Sequence, residues 1–115
     1  DKLDYNDTVH YQAPADIDDN LRKAIEKVAK KSFYILGCRD VARIDVRLDT
    51  KGNVHFIECN PLPGLTPGWS DLCLIAESVH MDYRTLIGEI LAPAIRRYKE
   101  RQKLLMNAPI NGTAR

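Results

Sequence analysis

Between Val41 and Asp49 the chain alternates without a break: Ala42, Ile44, Val46 and Leu48 are apolar, and Arg43, Asp45, Arg47 and Asp49 between them are charged. An extended strand, whose side chains point to opposite faces in turn, sorts such a run into one packed and one polar face. A second strand is expected over about Val54 to Cys59, after a short turn carrying Gly52. The two form an antiparallel hairpin, and its register decides which side chains meet. With Lys51-Gly52 as the tip, Thr50 pairs with Asn53, Asp45 faces Glu58 and Arg43 faces Asn60. The same count stacks Val46 on Ile57 and Ile44 on Cys59. A three-residue turn with a glycine bulge would shift the pairing by one; the apolar pairs favour the first register.

Facing partners in a sheet hold their Cβ atoms about 5 Å apart, close enough for two carboxylates to share one cation. Asp45 and Glu58 are like charges, unfavourable unless a counter-charge is present. Arg43 and Arg47 supply one in an ordinary salt-bridged sheet face, and a divalent cation supplies another, since magnesium needs only one or two carboxylates plus phosphates. The loop that follows, Asn60 to Trp69, holds Pro61, Pro63, Gly64, Pro67 and Gly68. Its backbone is restricted, and it is either a rigid surface turn or a cradle whose N–H groups, notably at Gly64 and Leu65, point at an oxyanion. Hard oxygen ligands beside such a loop suit magnesium and phosphate. An ATP-using enzyme is the leading reading.

The flanks read as helices. From about Asp16 to Leu36, Leu21, Ala24, Ile25, Val28, Ala29 and Phe33 recur at helical spacing, with lysines on the other face. Either Asp16 or Asp18 caps the start, and Gly37 suits the left-handed residue after the end. The acids at 18–19 lack the spacing and distal glutamate of a calcium loop. Asp71 to Val79 is a short helix or packed loop. Asp82 then caps a longer helix with Leu86, Ile87, Ile90, Leu91, Ala94, Ile95 and Tyr98 inside. Pro93 is expected to kink it, and the basic run from Arg96 to Lys103 reads as a solvated helix end. The fold class is therefore α+β, an antiparallel hairpin packed with helices. Residues 1–15 read as a connection or a strand separated from its neighbours, 16–105 as the folded unit, and 106–115 as a disordered tail.

Composition narrows the function classes. The chain has 115 residues, enough for a single core but small for a complete ATP-dependent synthetase. A formal net charge of +1 gives no electrostatic footprint for nucleic acid or acidic membranes. The basic residues are matched by acids, and no aromatic strand platform is present for single-stranded nucleic acid. No apolar run is long enough to span a bilayer, and no signal-peptide pattern begins at Asp1. Cys38, Cys59 and Cys73 are odd in number and lack CxxC spacing, so reduced thiols in a cytoplasmic protein are expected. His10, His55 and His80 have no close ligand spacing for zinc. His55 is placed on the apolar strand face as a packing residue, and Cys59 on the face opposite the ligands.

Over about Asp7 to Arg97 the sequence resembles the carboxy-terminal part of an ATP-grasp ligase, of the D-alanine–D-alanine ligase family. The resemblance rests on Tyr11, Pro14-Ala15, Leu36-Gly37-Cys38, Ala42-Arg43-Ile44-Asp45, Glu58-x-Asn60, Pro63-Gly64-Leu65-Thr66 and Tyr83-x-x-Leu86-Ile87. It implies that Asp45, Glu58 and Asn60 hold two Mg2+ (or Mn2+) ions bridging the phosphates of ATP. It implies that Arg43 contacts the transferred phosphoryl group, and that the Gly64 N–H helps hold the oxyanion of a tetrahedral intermediate. The expected reaction joins a small carboxylate to an amine, amino acids or a peptide, through an acyl phosphate. In the family the proline–glycine loop continues into a Ser-Leu pair that contacts the acceptor. Here Trp69 falls near the serine position, or Ser70 is displaced by one, so Trp69 either shapes a different acceptor pocket or is a packed aromatic. The upstream domain and the lysine-bearing strands that cover the nucleotide are not in this chain, so it is expected to be part of a larger ligase and not to turn over alone. A homodimer is open. The alternative is a non-catalytic ATP-grasp relic serving nucleotide or metal binding or assembly; the presence of Arg43, Asp45, Glu58 and Asn60 together argues against it, since drift would readily remove such costly clustered charges.

Overall fold

Residues 11–109 are described by a computed structural model, in which α1 (Asp19–Ile35), β1 (Arg43–Leu48), β2 (Val54–Asn60), α2 (Asp71–Ser78) and α3 (Tyr83–Met106) follow in order. The architecture is α+β. The two strands make one antiparallel sheet, α1 packs over both of them, and α2 packs on α3. The expected disordered tail falls mostly on residues outside the described range; within it, Asn107 caps the last helix.

Each helix begins and ends for a local reason. Asp18, not Asp16, caps α1: its Oδ1 accepts from the Leu21 N–H at 2.8 Å. Leu21, Ile25, Val28, Ala29 and Phe33 are the half-buried stripe that faces the sheet. At the other end Gly37 has φ +68, and the helix closes through Cys38 N to Phe33 O at 3.0 Å and Gly37 N to Tyr34 O at 3.1 Å. This is the Schellman pattern, and only a residue at ease in the left-handed region turns the chain back so sharply. α2 ends the same way, with Met81 N to Ala76 O at 2.9 Å and His80 N to Glu77 O at 3.0 Å. There the left-handed position, φ 60, is held by His80 rather than glycine. Asp82 Oδ1 accepts from Thr85 N at 2.7 Å to start α3, and Pro93 sits inside that helix.

The hairpin departs from the two-residue tip. Asp49 N donates to Asn53 O and Gly52 N to Asp49 O, both at 3.0 Å, and Gly52 has φ +81. The loop is therefore Thr50-Lys51-Gly52, three residues with glycine in the left-handed position. Asp49 holds this turn with both carboxylate oxygens. Oδ1 accepts from Lys51 N at 2.9 Å and Asn53 N at 2.8 Å, and Oδ2 from Asn53 Nδ2 at 2.9 Å. The longer turn sets Leu48 opposite Val54, Arg47 opposite His55 and Val46 opposite Phe56. A bulge between Asp45 and Val46 then absorbs Ile57, and beyond it Asp45 faces Glu58, Ile44 faces Cys59 and Arg43 faces Asn60. The expected ligand pairing holds, but the expected Val46–Ile57 pair does not. His55 is also corrected: near the turn its parity is inverted, so it lies on the charged face, with Nε2 3.0 Å from Asp49 Oδ2.

The fully buried core is small. Cys73, Ala76 and Leu86 make it, with Leu72, Met81 and Ile90 packed around them, all from α2, α3 and the turn between. The chain is elongated, 73 × 34 × 33 Å with a radius of gyration of 20.0 Å, against about 13 Å for a compact chain of 100 residues. Among the described residues a long-range ion pair joins the α1–hairpin unit to α3. Arg97 Nη1 and Nη2 donate to Asp40 Oδ1 and Oδ2 at 2.6 and 2.8 Å. Asp40 has φ 66 and is closed over by Val41 N to Arg39 O at 2.8 Å. The Arg97 fork thus grips a strained backbone position just ahead of β1. The same guanidinium keeps the Asp40 carboxyl below the usual carboxylate range.

Candidate functional site

Alternation along β1 places Arg43 and Asp45 on one face, and the register beyond the bulge sets Asn60 and Glu58 across from them. Arg43 is the hub. Its Nε donates to Asp45 Oδ1 at 2.9 Å and its Nη2 to Asp45 Oδ2 at 3.1 Å, a two-point grip on a neighbour two residues along the same strand. Nη1 donates to Asp71 Oδ2 at 3.0 Å, and Glu58 Oε1 lies 3.8 Å from Nη2. Three carboxylates from three elements thus converge on one guanidinium. The Arg43 hydrogen bonds hold Asp45 below the usual carboxylate range, and Asp45 in turn raises Arg43. Asp45 is therefore ionised at neutral pH.

Asp71 had no local mark in the sequence. An acid in the first turn of a helix is explained by the helix dipole alone, and its partner is 28 residues away. Only the course of the chain from β2 through the loop into α2 brings it to Arg43, which pairs with it by side chain alone. Arg43, Asp45 and Asp71 form the polar wall of a cleft of about 450 Å³ whose apolar wall is Ile44, Leu74 and Ile75. Residues 11–13 lie at its rim.

The loop after β2 starts at Asn60, whose Oδ1 accepts from Leu62 N at 3.1 Å. Pro63 is buried. Trp69 N and Ser70 N both donate to Thr66 O, at 3.2 and 3.0 Å, while Thr66 N donates to Ser70 Oγ at 2.9 Å. Gly68 takes φ +68 inside this closed turn. Gly64 is held close to it: a Cβ there would stand 2.7 Å from Ser70 Oγ. Glycine at 64 is therefore required by the approach of Ser70. Ser70 is the residue before α2, yet its hydroxyl makes no capping bond and is engaged by the loop instead. Trp69 is 81% exposed, so it is not a packed aromatic among the described residues.

The structure therefore brings together Arg43, Asp45, Glu58 and Asn60 on one sheet face and adds Asp71. Gly64, Trp69 and Ser70 belong to the adjoining loop. Among the described residues no three His, Cys, Asp or Glu side chains are gathered as a metal cluster. The ligand set expected from the sequence contains two carboxylates and an amide, which by chemistry fits a magnesium ion completed by phosphates and water. No helix of the described residues is long and apolar enough to cross a membrane.

Comparison with known proteins gives the family. The family described as "D-ala D-ala ligase C-terminus" matches residues 2–92. A D-alanine–D-alanine ligase of Alcanivorax borkumensis is 35% identical over 92 residues, covering 80% of this chain and 30% of the relative. One from Paraburkholderia phymatum is 37% identical over 90 residues, covering 76% and 27%. The uncharacterized protein y4sG of Sinorhizobium fredii is 38% identical over 85 residues, covering 74% and 25%. The chain thus spans less than a third of the length of these relatives. With that match covering most of its length, this chain belongs to the D-Ala–D-Ala ligase carboxy-terminal family.

Proposed function

We propose that the chain supplies the phosphoryl-transfer face of an ATP- and Mg2+-dependent carboxylate–amine ligase, acting with further protein that covers the nucleotide. The carrying observation is the convergence of Asp45, Glu58 and Asp71 on Arg43, with Asn60 across the strand. Among the described residues one guanidinium set among three carboxylates leaves this cluster net negative, a state that favours a divalent cation there. A bound metal supplies charge neutralisation on the phosphates.

The residues then have separate tasks. A carboxylate oxygen of the donor attacks the γ-phosphorus; the new O–P bond forms as the bond to the ADP oxygen breaks, giving an acyl phosphate. Arg43, held rigid at its Nε and both Nη atoms, is oriented to stabilise the equatorial oxygens of the moving phosphoryl group. The amine of the second substrate then attacks the acyl carbon and phosphate departs. Gly64, with no side chain of its own, would offer its N–H to the oxyanion of that step. Trp69 and Ser70, on the loop leading into the cleft wall, face the acceptor. Amino acids of the D series are the first substrates to try, since named relatives are D-alanine–D-alanine ligases.

The test is phosphate release by the full gene product with Mg-ATP, screened across D- and L-amino acids and short peptides, with Glu58→Gln as control. Release that needs a carboxylate and an amine, and disappears in the control, is expected. ATP binding with no release under any pairing would make the chain a non-catalytic relative.

A further inference from the structure

On the side of β2 away from Glu58 and Asn60, the Sγ atoms of Cys38 and Cys59 lie 3.6 Å apart. Two independent local features bring them together. The left-handed turn at Gly37 sends the chain from the end of α1 onto the sheet, so that Cys38, fixed by its N–H to Phe33 O at 3.0 Å, lands over β2. The bulge at Ile57 restores the register, so that Cys59 faces Ile44 and not the solvent-side pairing. Both cysteines are half-buried and reduced, and a cleft of about 410 Å³ lined by Leu36, Gly37, Phe56, Glu58 and Pro61 opens beside them, so Glu58 borders the cysteine side as well. Cys73, the third cysteine, is buried between α2 and α3.

We propose that Cys38 and Cys59 are a reversible disulfide site whose closure shifts Glu58 and Asn60 and so turns down metal binding at the opposite face. The metal half of this inference rests on the ligase reading above. The oxidant is a peroxide. One cysteine sulfur attacks a peroxide oxygen, an S–O bond forms as the O–O bond breaks, and water leaves. The second sulfur attacks the resulting sulfenic acid; the S–S bond forms, the S–O bond breaks, and a second water leaves. Two thiols lose two electrons and two protons, and hydrogen peroxide becomes two waters. Thiol–disulfide exchange with a dithiol reverses the change.

Closure needs movement. A disulfide spans about 2.05 Å between sulfurs, so the two must approach by roughly 1.5 Å. Cys38 is anchored by the helix-end hydrogen bond and Cys59 by its ladder with Ile44. Cys59 is also covalently flanked by Glu58 and Asn60, so its displacement passes directly to both. Magnesium tolerates little distortion of its octahedron, and a functional site must be held to within about 0.5 Å.

The experiment uses the full gene product, reduced and then treated with hydrogen peroxide. Cross-links are read by non-reducing peptide mapping, and Mn2+ affinity by titration. A cross-link between the peptides holding Cys38 and Cys59 is expected, with Mn2+ affinity down about tenfold and both changes reversed by dithiothreitol. Cys38→Ala and Cys59→Ala should each remove both changes, and Cys73→Ala neither. Peroxide treatment that leaves the two peptides unlinked overturns the site, and a cross-link that leaves Mn2+ affinity unchanged overturns the switch. Reduced protein that binds Mn2+ and cross-links as expected but never releases phosphate counts against the ligase reading alone.

Discussion

Gly64→Ala tests whether the loop is set by the approach of Ser70. The added Cβ would lie 2.7 Å from Ser70 Oγ and 3.3 Å from Ser70 Cβ, where an ordinary contact needs about 3.5 Å. The hydroxyl cannot simply swing away, because it accepts from Thr66 N at 2.9 Å. Nor is the Ser70 backbone free: its N–H is held by Thr66 O, and its carbonyl accepts the first bond of α2 from Leu74 N, both at 3.0 Å. Rotating the hydroxyl gives up a hydrogen bond of about 1 kcal/mol, while shifting the backbone is an overpacking cost of about 1–3 kcal/mol. The expected local loss is therefore about 1–3 kcal/mol, read as faster native-state hydrogen exchange at the Thr66 and Leu74 amides. Ser70→Ala removes the atom at 2.7 Å and leaves only the milder contact at 3.3 Å. In that background the same substitution should cost about 1 kcal/mol less, a coupling measurable by a double-mutant cycle. Equal losses in the two backgrounds would show that Ser70 is not what requires glycine. In the ligase assay the displaced loop should slow turnover by up to about 100-fold.

Asp71→Asn removes a carboxylate from Arg43 while leaving Asp45 in place, so turnover with Mg-ATP should fall by about tenfold or more with little change in the KM for ATP; an unchanged kcat would confine Asp71 to the surface. His80→Gly should stabilise the end of α2 by about 0.5–1 kcal/mol, because a side chain in the left-handed position is strained; unchanged exchange at the Met81 amide would argue against that strain. Asp49 is held below the ordinary carboxylate range by His55 and by the Asn53 and Lys51 donors. A depressed carboxylate contributes stability above its unfolded value, about 3.9, and that contribution is lost as pH falls through the lower folded value. The Lys51 and Asn53 amide resonances should hold their folded positions through pH 4 and move only below it, and a midpoint at the ordinary carboxylate value would contradict the turn network.

What the sequence could reveal followed the range of the interactions involved. The strict alternation of 42–48 and the stripe from Leu21 to Phe33 are local patterns, and both became the expected elements. The cap at Asp18 and the turn at Gly37 are equally local. Pairing of Asp45 with Glu58 was also reached, but through two departures that cancel. The turn has one residue more than the simplest hairpin, and the bulge at Ile57 takes one back. No pattern of hydrophobicity marks that bulge, and with the longer turn it puts His55 on the charged face instead of the apolar one that simple alternation predicts. Asp71 and the Arg97–Asp40 pair join residues 28 and 57 positions apart, and nothing local encodes such a meeting. The contact between Cys38 and Cys59 is of the same kind.

The way the packing divides bears on how the chain folds. Among the described residues α1 packs chiefly on the hairpin that follows it, and α2 on the helix directly after it. Each unit can close over a short loop, which favours rapid formation before any distant segment is found. Arg43–Asp71 and Arg97–Asp40 are then the latches between the units. Both latches are ionic and partly exposed, so added salt should loosen one unit from the other long before either unravels. The face that gathers Asp71 to Arg43 is thus a junction, assembled last and most easily opened.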